Sequence, residues 1–150
     1  MEKPLDPKML SLVMQNLPEI VMAVDEQGNI LFINHVLPQY TIDQVIGTPM
    51  FNYIPPGEHE VMRQSLQKVF QGGEKVEFEI PGSGPDGQTS WYRSEMTPVK
   101  DETGKIIGAT NVSRDITKEK VAADELSKAQ RVVADQEAKI AQLQEKTPGT

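Results

Sequence analysis

The sequence predicts an α+β domain followed by one long helix. Three observations lead there. Two short β-branched runs around a turn occupy residues 20–33. Three further strand-like runs fill much of 74–116. The helical spacings lie before and between these groups without alternating strand by strand, which is the α+β order and not a βαβ order. At 150 residues with 37% hydrophobic content, the chain is long enough for one core plus an appendage.

Each element follows from local pattern. Residues 1–7, with Pro4 and Pro7, read as an irregular lead-in. In KMLSLVMQNL (8–17), Met9, Leu10, Val13, Met14 and Leu17 recur at helical spacing, and Pro18 stops the helix. IVMAVD and NILFIN then form a hairpin across DEQGN, where Gly28 is free to take positive φ. The same turn chemistry returns in VKDETGKI (99–106). From 34 to 56 the prolines and Gly47 permit only short helical turns, one around Ile42–Ile46.

A longer helix covers about 57–71 and ends at Gly72-Gly73. Its apolar stripe is Met62, Leu66, Val69 and Phe70, and Glu58 and Glu60 suit the positive end of its dipole. EKVEFEI alternates strictly, with Val76, Phe78 and Ile80 on one face. PGSGPDGQ (81–88) reads as an irregular loop, TSWYRSEMTPV as a strand and KIIGATNVSRDI as another. Residues 118–146 lack Gly and Pro. Leu126, Val133 and Ile140 repeat every seven residues, with Ala122, Ala129 and Leu143 at companion positions and Gln136 as the polar exception. That is a short coiled-coil signature, about 43 Å long at 1.5 Å per residue. TPGT (147–150) reads as a disordered end.

Composition excludes several chemistries. With no cysteine, the chain has no disulfide, Cys-ligated zinc, iron–sulfur cluster, thiolate nucleophile or cysteine–flavin adduct. A net charge of -7 and a pI near 4.8 predict no binding to nucleic acid or to an anionic membrane. The charge is uneven: residues 118–150 hold six basic and six acidic side chains, so residues 1–117 carry the whole excess. No apolar run nears the roughly 20 residues that span a bilayer. The start lacks signal-peptide features. The expectation is a soluble, cytoplasmic chain. G-x-S-x-G, P-loop, zinc-protease and dinucleotide patterns do not occur, so no enzyme is predicted.

The hairpin IVMAVDEQGNILFIN, a helix ending in GG, EFEI, the DG-containing loop, TSWYRSEMTPVKDETGKIIGATNVSRDIT and a charged helix together resemble the PAS sensor domain. Most specific is the aromatic-bearing strand with P-V-x-D-x-x-G-x-I-x-G and the terminal Arg-Asp-Ile-Thr. Two departures are visible. The segment between Asn34 and Gly47 is shortened and interrupted by Pro38, and the 81–88 loop is long. The resemblance implies a five-stranded antiparallel sheet with helices on one face, flanked by an N-terminal helix and a long C-terminal helix. It divides the chain into a lead-in and flanking helix (1–17), a PAS sensory domain (18–117), a coiled-coil signalling helix (118–146) and the end (147–150).

The implied function is sensory input and dimerisation in a signal-transduction protein such as a bacterial sensor histidine kinase of a two-component system. Ligand, redox or partner input would pass through the coiled coil to an output domain. A ligand-free PAS dimerisation or docking scaffold is the alternative. The seven methionines suit irregular core packing or a small apolar-ligand cavity equally. Candidates for the pocket are Asn34, Met50, Phe51, Met62, Leu66, Phe70, Phe78, Tyr92 and Met96. The relay hinge falls on Asp115, Ile116 and Thr117, with Thr117 able to cap the following helix. The seam residues are Ala122, Leu126, Ala129, Val133, Ile140 and Leu143. Expected partners are an identical chain paired through the helical flanks and an output domain, with a small-molecule ligand as a further option. The cofactor options are none, flavin or haem. Trp91, Tyr92, Asn34 and Asn111 are residue types that suit a flavin or ordinary packing. His59 is the candidate haem ligand, though GEHE equally reads as an exposed helix start. No metal site is predicted.

Overall fold

In a computed structural model that describes residues 6–146, one turn design is built twice. The Asp25 carboxylate accepts from the backbone N–H groups of Gln27 (3.0 Å) and Asn29 (2.8 Å), and Gly28 stands at φ 85°. The Asp101 carboxylate accepts from those of Thr103 (2.8 Å) and Lys105 (3.1 Å), and Gly104 stands at φ 87°. Short aspartates that satisfy the backbone ahead of them, with glycine in the left-handed region, are the chemistry such corners need. The two sites still differ in their surroundings. A Cβ on Gly28 would come within 3.0 Å of Phe51 and 3.2 Å of Leu66, whereas one on Gly104 would meet nothing within 4 Å.

The chain divides into two compact units, Met1–Ile116 and Thr117–Thr150. The first holds a five-stranded antiparallel sheet of β1 (Ile20–Val24), β2 (Ile30–Ile33), β3 (Val76–Ser83), β4 (Thr89–Lys100) and β5 (Ile106–Asp115), in the order β2-β1-β5-β4-β3. β3 runs into the stretch expected to be an irregular loop: Pro81 pairs with Trp91, Gly82 with Ser90 and Ser83 with Thr89. As the outer strand, β3 can carry a proline without losing a ladder bond on a second side. Only residues 84–88 remain as the turn, closed by Gly84 N–H to Gln88 O at 2.7 Å.

Helices α1 (Pro7–Gln15), α2 (Ile42–Val45) and α3 (His59–Phe70) complete this unit, with 3-10 turns at Met50–Tyr53 and Pro56–Glu58. Asp6 caps α1 by accepting from the Lys8 N–H at 3.0 Å, and Pro7 fits the first turn. None of the α1 residues is buried. α2 is one turn long and is held by a capping box between Thr41 and Gln44. α3 buries Met62, Ser65, Leu66 and Val69, close to the stripe expected from spacing. Met62, Leu66 and Val69 pack with Val24, Ile80, Met96 and Ala109 from the sheet.

The second unit is α4 (Thr117–Lys146), 30 residues long. Thr117 is its first helical residue rather than its cap, so Ile116 takes the position before it. Every residue from 121 to 145 is exposed. Leu126, at 60%, and Leu143, at 65%, keep most of their surface accessible. The expectations for residues 1–5 and 147–150 lie outside the described residues.

Candidate functional site

Antiparallel pairing fixes which sheet residues look inward, because directly opposed residues share a face. On β5 these are Ala109, Asn111 and Ser113; on β4, Tyr92, Ser94 and Met96; on β1, Ile20, Met22 and Val24. At one end of this face, Val24, Met96 and Ala109 are fully buried against Val69. At the other lies a cavity of about 140 Å³.

Its floor is Ile20, Met22, Tyr92, Ser94, Asn111 and Ser113. The connection from β2 to α3 supplies the opposite wall through His35, Val36, Tyr40, Val45, Met50 and Tyr53. This is the segment interrupted by Pro38, and it covers the floor with one α-helical turn, one 3-10 turn and irregular chain rather than a full helix. Side-chain contacts hold that wall in place. The Tyr40 and Tyr53 rings meet edge to face at 5.3 Å, and the Thr48 hydroxyl lies 2.7 Å from the Tyr53 hydroxyl and donates to the Val45 carbonyl. His35 Nε2 lies 2.7 Å from the Leu17 carbonyl.

Of the nine pocket candidates, Met50, Met62 and Tyr92 line this cavity. Phe51, Leu66 and Phe70 instead border a separate surface depression beside the 25–29 turn. Met96 belongs to the packed core, and the half-buried Phe78 packs against it. Asn34 is a structural clamp. Its Oδ1 accepts from Val21 N–H at 2.7 Å, and its Nδ2 donates to the carbonyls of Met14 (2.8 Å) and Glu19 (3.1 Å). That ties the end of α1 to the hairpin.

Most of the lining lies outside the nine candidates, including the polar Ser94 and Ser113 and the wall residues Tyr40 and Tyr53; Asn111 stands out in the sequence only as a residue type that suits a flavin or ordinary packing. For Asn111 and Ser113 the signal is the inward register of β5, where polar side chains follow Ala109 at alternate positions. Burial raises the Tyr92 phenol above its ordinary range, reinforced by the Asp115 charge and opposed by the Ser90 hydroxyl.

His59 is not an exposed cap. Its Nε2 lies 2.9 Å from both the Phe51 and Ile54 carbonyls, and its ring meets Phe51 edge to face at 5.2 Å. That nitrogen serves the backbone, and His59 lies outside the cavity lining. The cavity volume is close to that of a cavity that holds benzene, about 150 Å³. Trp91 alternates with the inward Tyr92 and falls on the other face. Among the described residues, no group of three His, Asp or Glu could hold a metal ion.

The profile of the family described as the PAS fold matches residues 14–121. The chain belongs to the PAS family. PAS is a sensory fold, and the five-stranded sheet, the helices and the long C-terminal helix agree with it. No curated protein sequence matches the chain. Among solved structures, it is similar to the PAS domain of a protein from Colwellia psychrerythraea, at 26% identity and TM-score 0.63, covering 74% of this chain and 97% of that one. It is also similar in fold to VqmA of Vibrio cholerae, at 21% identity and TM-score 0.66, covering 77% of this chain and 53% of that one. A third is the PAS domain of the quorum-sensing receptor RpfR from Cronobacter turicensis in complex with BDSF, at 21% identity and TM-score 0.58, covering 68% and 97%.

VqmA corrects one expectation. Its structures include a ligand–DNA complex, so exclusion of nucleic acid does not follow for a PAS chain. Net charge speaks only for the residues that carry it. This chain spans only about half the length of VqmA, and the charge of a sensor region does not report what the rest of a protein binds. No described helix is long and apolar enough to cross a membrane.

Proposed function

We propose that this chain is the sensory input and dimerisation module of a cytoplasmic signal-transduction protein. In this reading it relays occupancy of the β-sheet cavity to an output domain such as a histidine kinase. The observation that carries it is one rung of the sheet. Tyr92 lines the cavity and pairs with Asp115, the last residue of β5, and the next residue, Ile116, donates its N–H to the Trp91 carbonyl at 2.8 Å. The cavity floor and the entry to α4 are therefore built on adjacent residues of β4. A displacement of Tyr92 is transmitted through Asp115, Ile116 and Thr117 as a change in the direction of α4.

α4 serves as the transmitter by pairing with a second copy along Ala122, Leu126, Ala129, Val133, Ile140 and Leu143. Its exposed apolar residues and zero net charge favour self-association over repulsion. Amide hydrogen exchange of the full chain with and without saturating phenol tests the relay. The expected result is altered protection at Asn111, Ile116 and the first turn of α4. Changes confined to the cavity, with none from Ile116 onward, would instead favour a docking scaffold. Light scattering should give a dimer, and the double variant Leu126→Glu/Ile140→Glu a monomer.

A further inference from the structure

Two neighbouring rows of side chains cross the inner face of the sheet and treat their polar members differently. In one, Ile20, Ser113, Ser94 and Phe78 stand opposite one another, and the two serine hydroxyls satisfy each other at 2.7 Å. In the next, Met22, Asn111, Met96 and Val76 are aligned. Asn111 is flanked by methionines on both sides, and a thioether has no hydrogen to donate. Its Oδ1 is enclosed and, among the described residues, is the one buried side-chain polar atom without a hydrogen-bond partner. The residue is 3% exposed and lines the cavity. A buried amide oxygen in such a setting is unfavourable unless something brings it a donor.

The remaining lining narrows what can do so. No Asp, Glu, Lys or Arg reaches the cavity, so an ionic ligand would lose its hydration and gain no counter-charge. The volume of about 140 Å³ admits a molecule the size of benzene. We infer that the cavity binds a small uncharged molecule, mostly hydrocarbon and of about six to eight non-hydrogen atoms, that donates one O–H or N–H to Asn111 Oδ1. Binding requires the flexible side chain of cavity-lining Met22 to give way and uncover that enclosed oxygen. The inference rests on the sensory reading above and names its ligand class.

NMR titration of the full chain with phenol, toluene and anisole tests it, since these share a ring and differ in the donor. Phenol should bind at least about tenfold more tightly than toluene or anisole, as expected for one buried hydrogen bond. In Asn111→Leu the difference should close to within about twofold, and Asn111→Ala, as a second variant, should close it equally. Equal binding of phenol and toluene by the native chain would overturn the donor assignment while leaving an apolar sensory cavity. The same holds if the variants keep the preference. Failure of all three probes to bind would overturn the cavity reading itself.

Discussion

The two ends of the sheet's inner face are made from the same strands and differ in what stands over them. At the packed end, Val24, Ala109 and Met96 meet α3, and Val24, Val69, Met96 and Ala109 are wholly buried. At the cavity end the cover is the irregular 34–54 segment, with a single turn of α2, and the strand residues turn polar at Ser94, Asn111 and Ser113. A regular helix presents a repeating apolar stripe that fills a face. A short segment broken by Pro38 does not, and the residue types below it have followed. Close packing is thus concentrated at one end and polar lining at the other.

The largest effect should come from truncating the packed end. Met96→Ala is expected to lower stability by about 2–5 kcal/mol, as other large-to-small core changes do. Met22→Ala, at the cavity end, should cost only about 1–2 kcal/mol, because a side chain with fewer packing partners loses less. Urea unfolding measures both, and equal losses would break the comparison. Next comes the corner pressed against the packed end. Gly28→Ala should destabilise by about 1–3 kcal/mol through its positive φ, compounded by contact with Phe51 and Leu66. Gly104→Ala has the same backbone strain without the contact, so it should cost less.

At the cavity end the sign reverses. Asn111→Leu should raise stability by about 1 kcal/mol, since it removes a buried acceptor that has no partner.

The smallest effect is a pH dependence. Burial raises the Tyr92 phenol, so the folded chain holds that proton more tightly than the unfolded chain does. The resulting stability is intact below the ordinary tyrosine value of 10.0 and is lost as pH rises toward the raised folded value. The Lys75 ammonium, raised by its pairing with Glu95, adds to the same decline. Tyr92→Phe should therefore lessen the alkaline decline in thermal unfolding, and an unchanged decline would remove Tyr92 as a source.

Much of the fold was legible because its signals are local. The Asp25 and Asp101 turns, the alternation in VEFEI and the stripe on α3 each declare themselves within about a dozen residues. Pro81 misled because proline punctuates a strand unless the strand is at an edge, and edges are set by topology. The site was less legible for a related reason. Leu66 and Phe70 are apolar at helical spacing on α3 and Phe51 sits on the turn before it, yet the face they cover is decided by tertiary packing. Asn34 and Asn111 are the same residue type, and only the tertiary structure makes one a three-way clamp and the other an acceptor without a donor.

The methionines supply the most direct test of the claim that the cavity end is the binding site. Met22, Met50 and Met62 line the cavity, Met96 lies in the packed core and Met9 is exposed on α1. In a full chain labelled at the methionine methyls, titration with phenol should shift Met22, Met50 and Met62 well beyond Met9. A spectrum in which no methyl moves, or in which Met9 moves as far as Met22, would contradict the account.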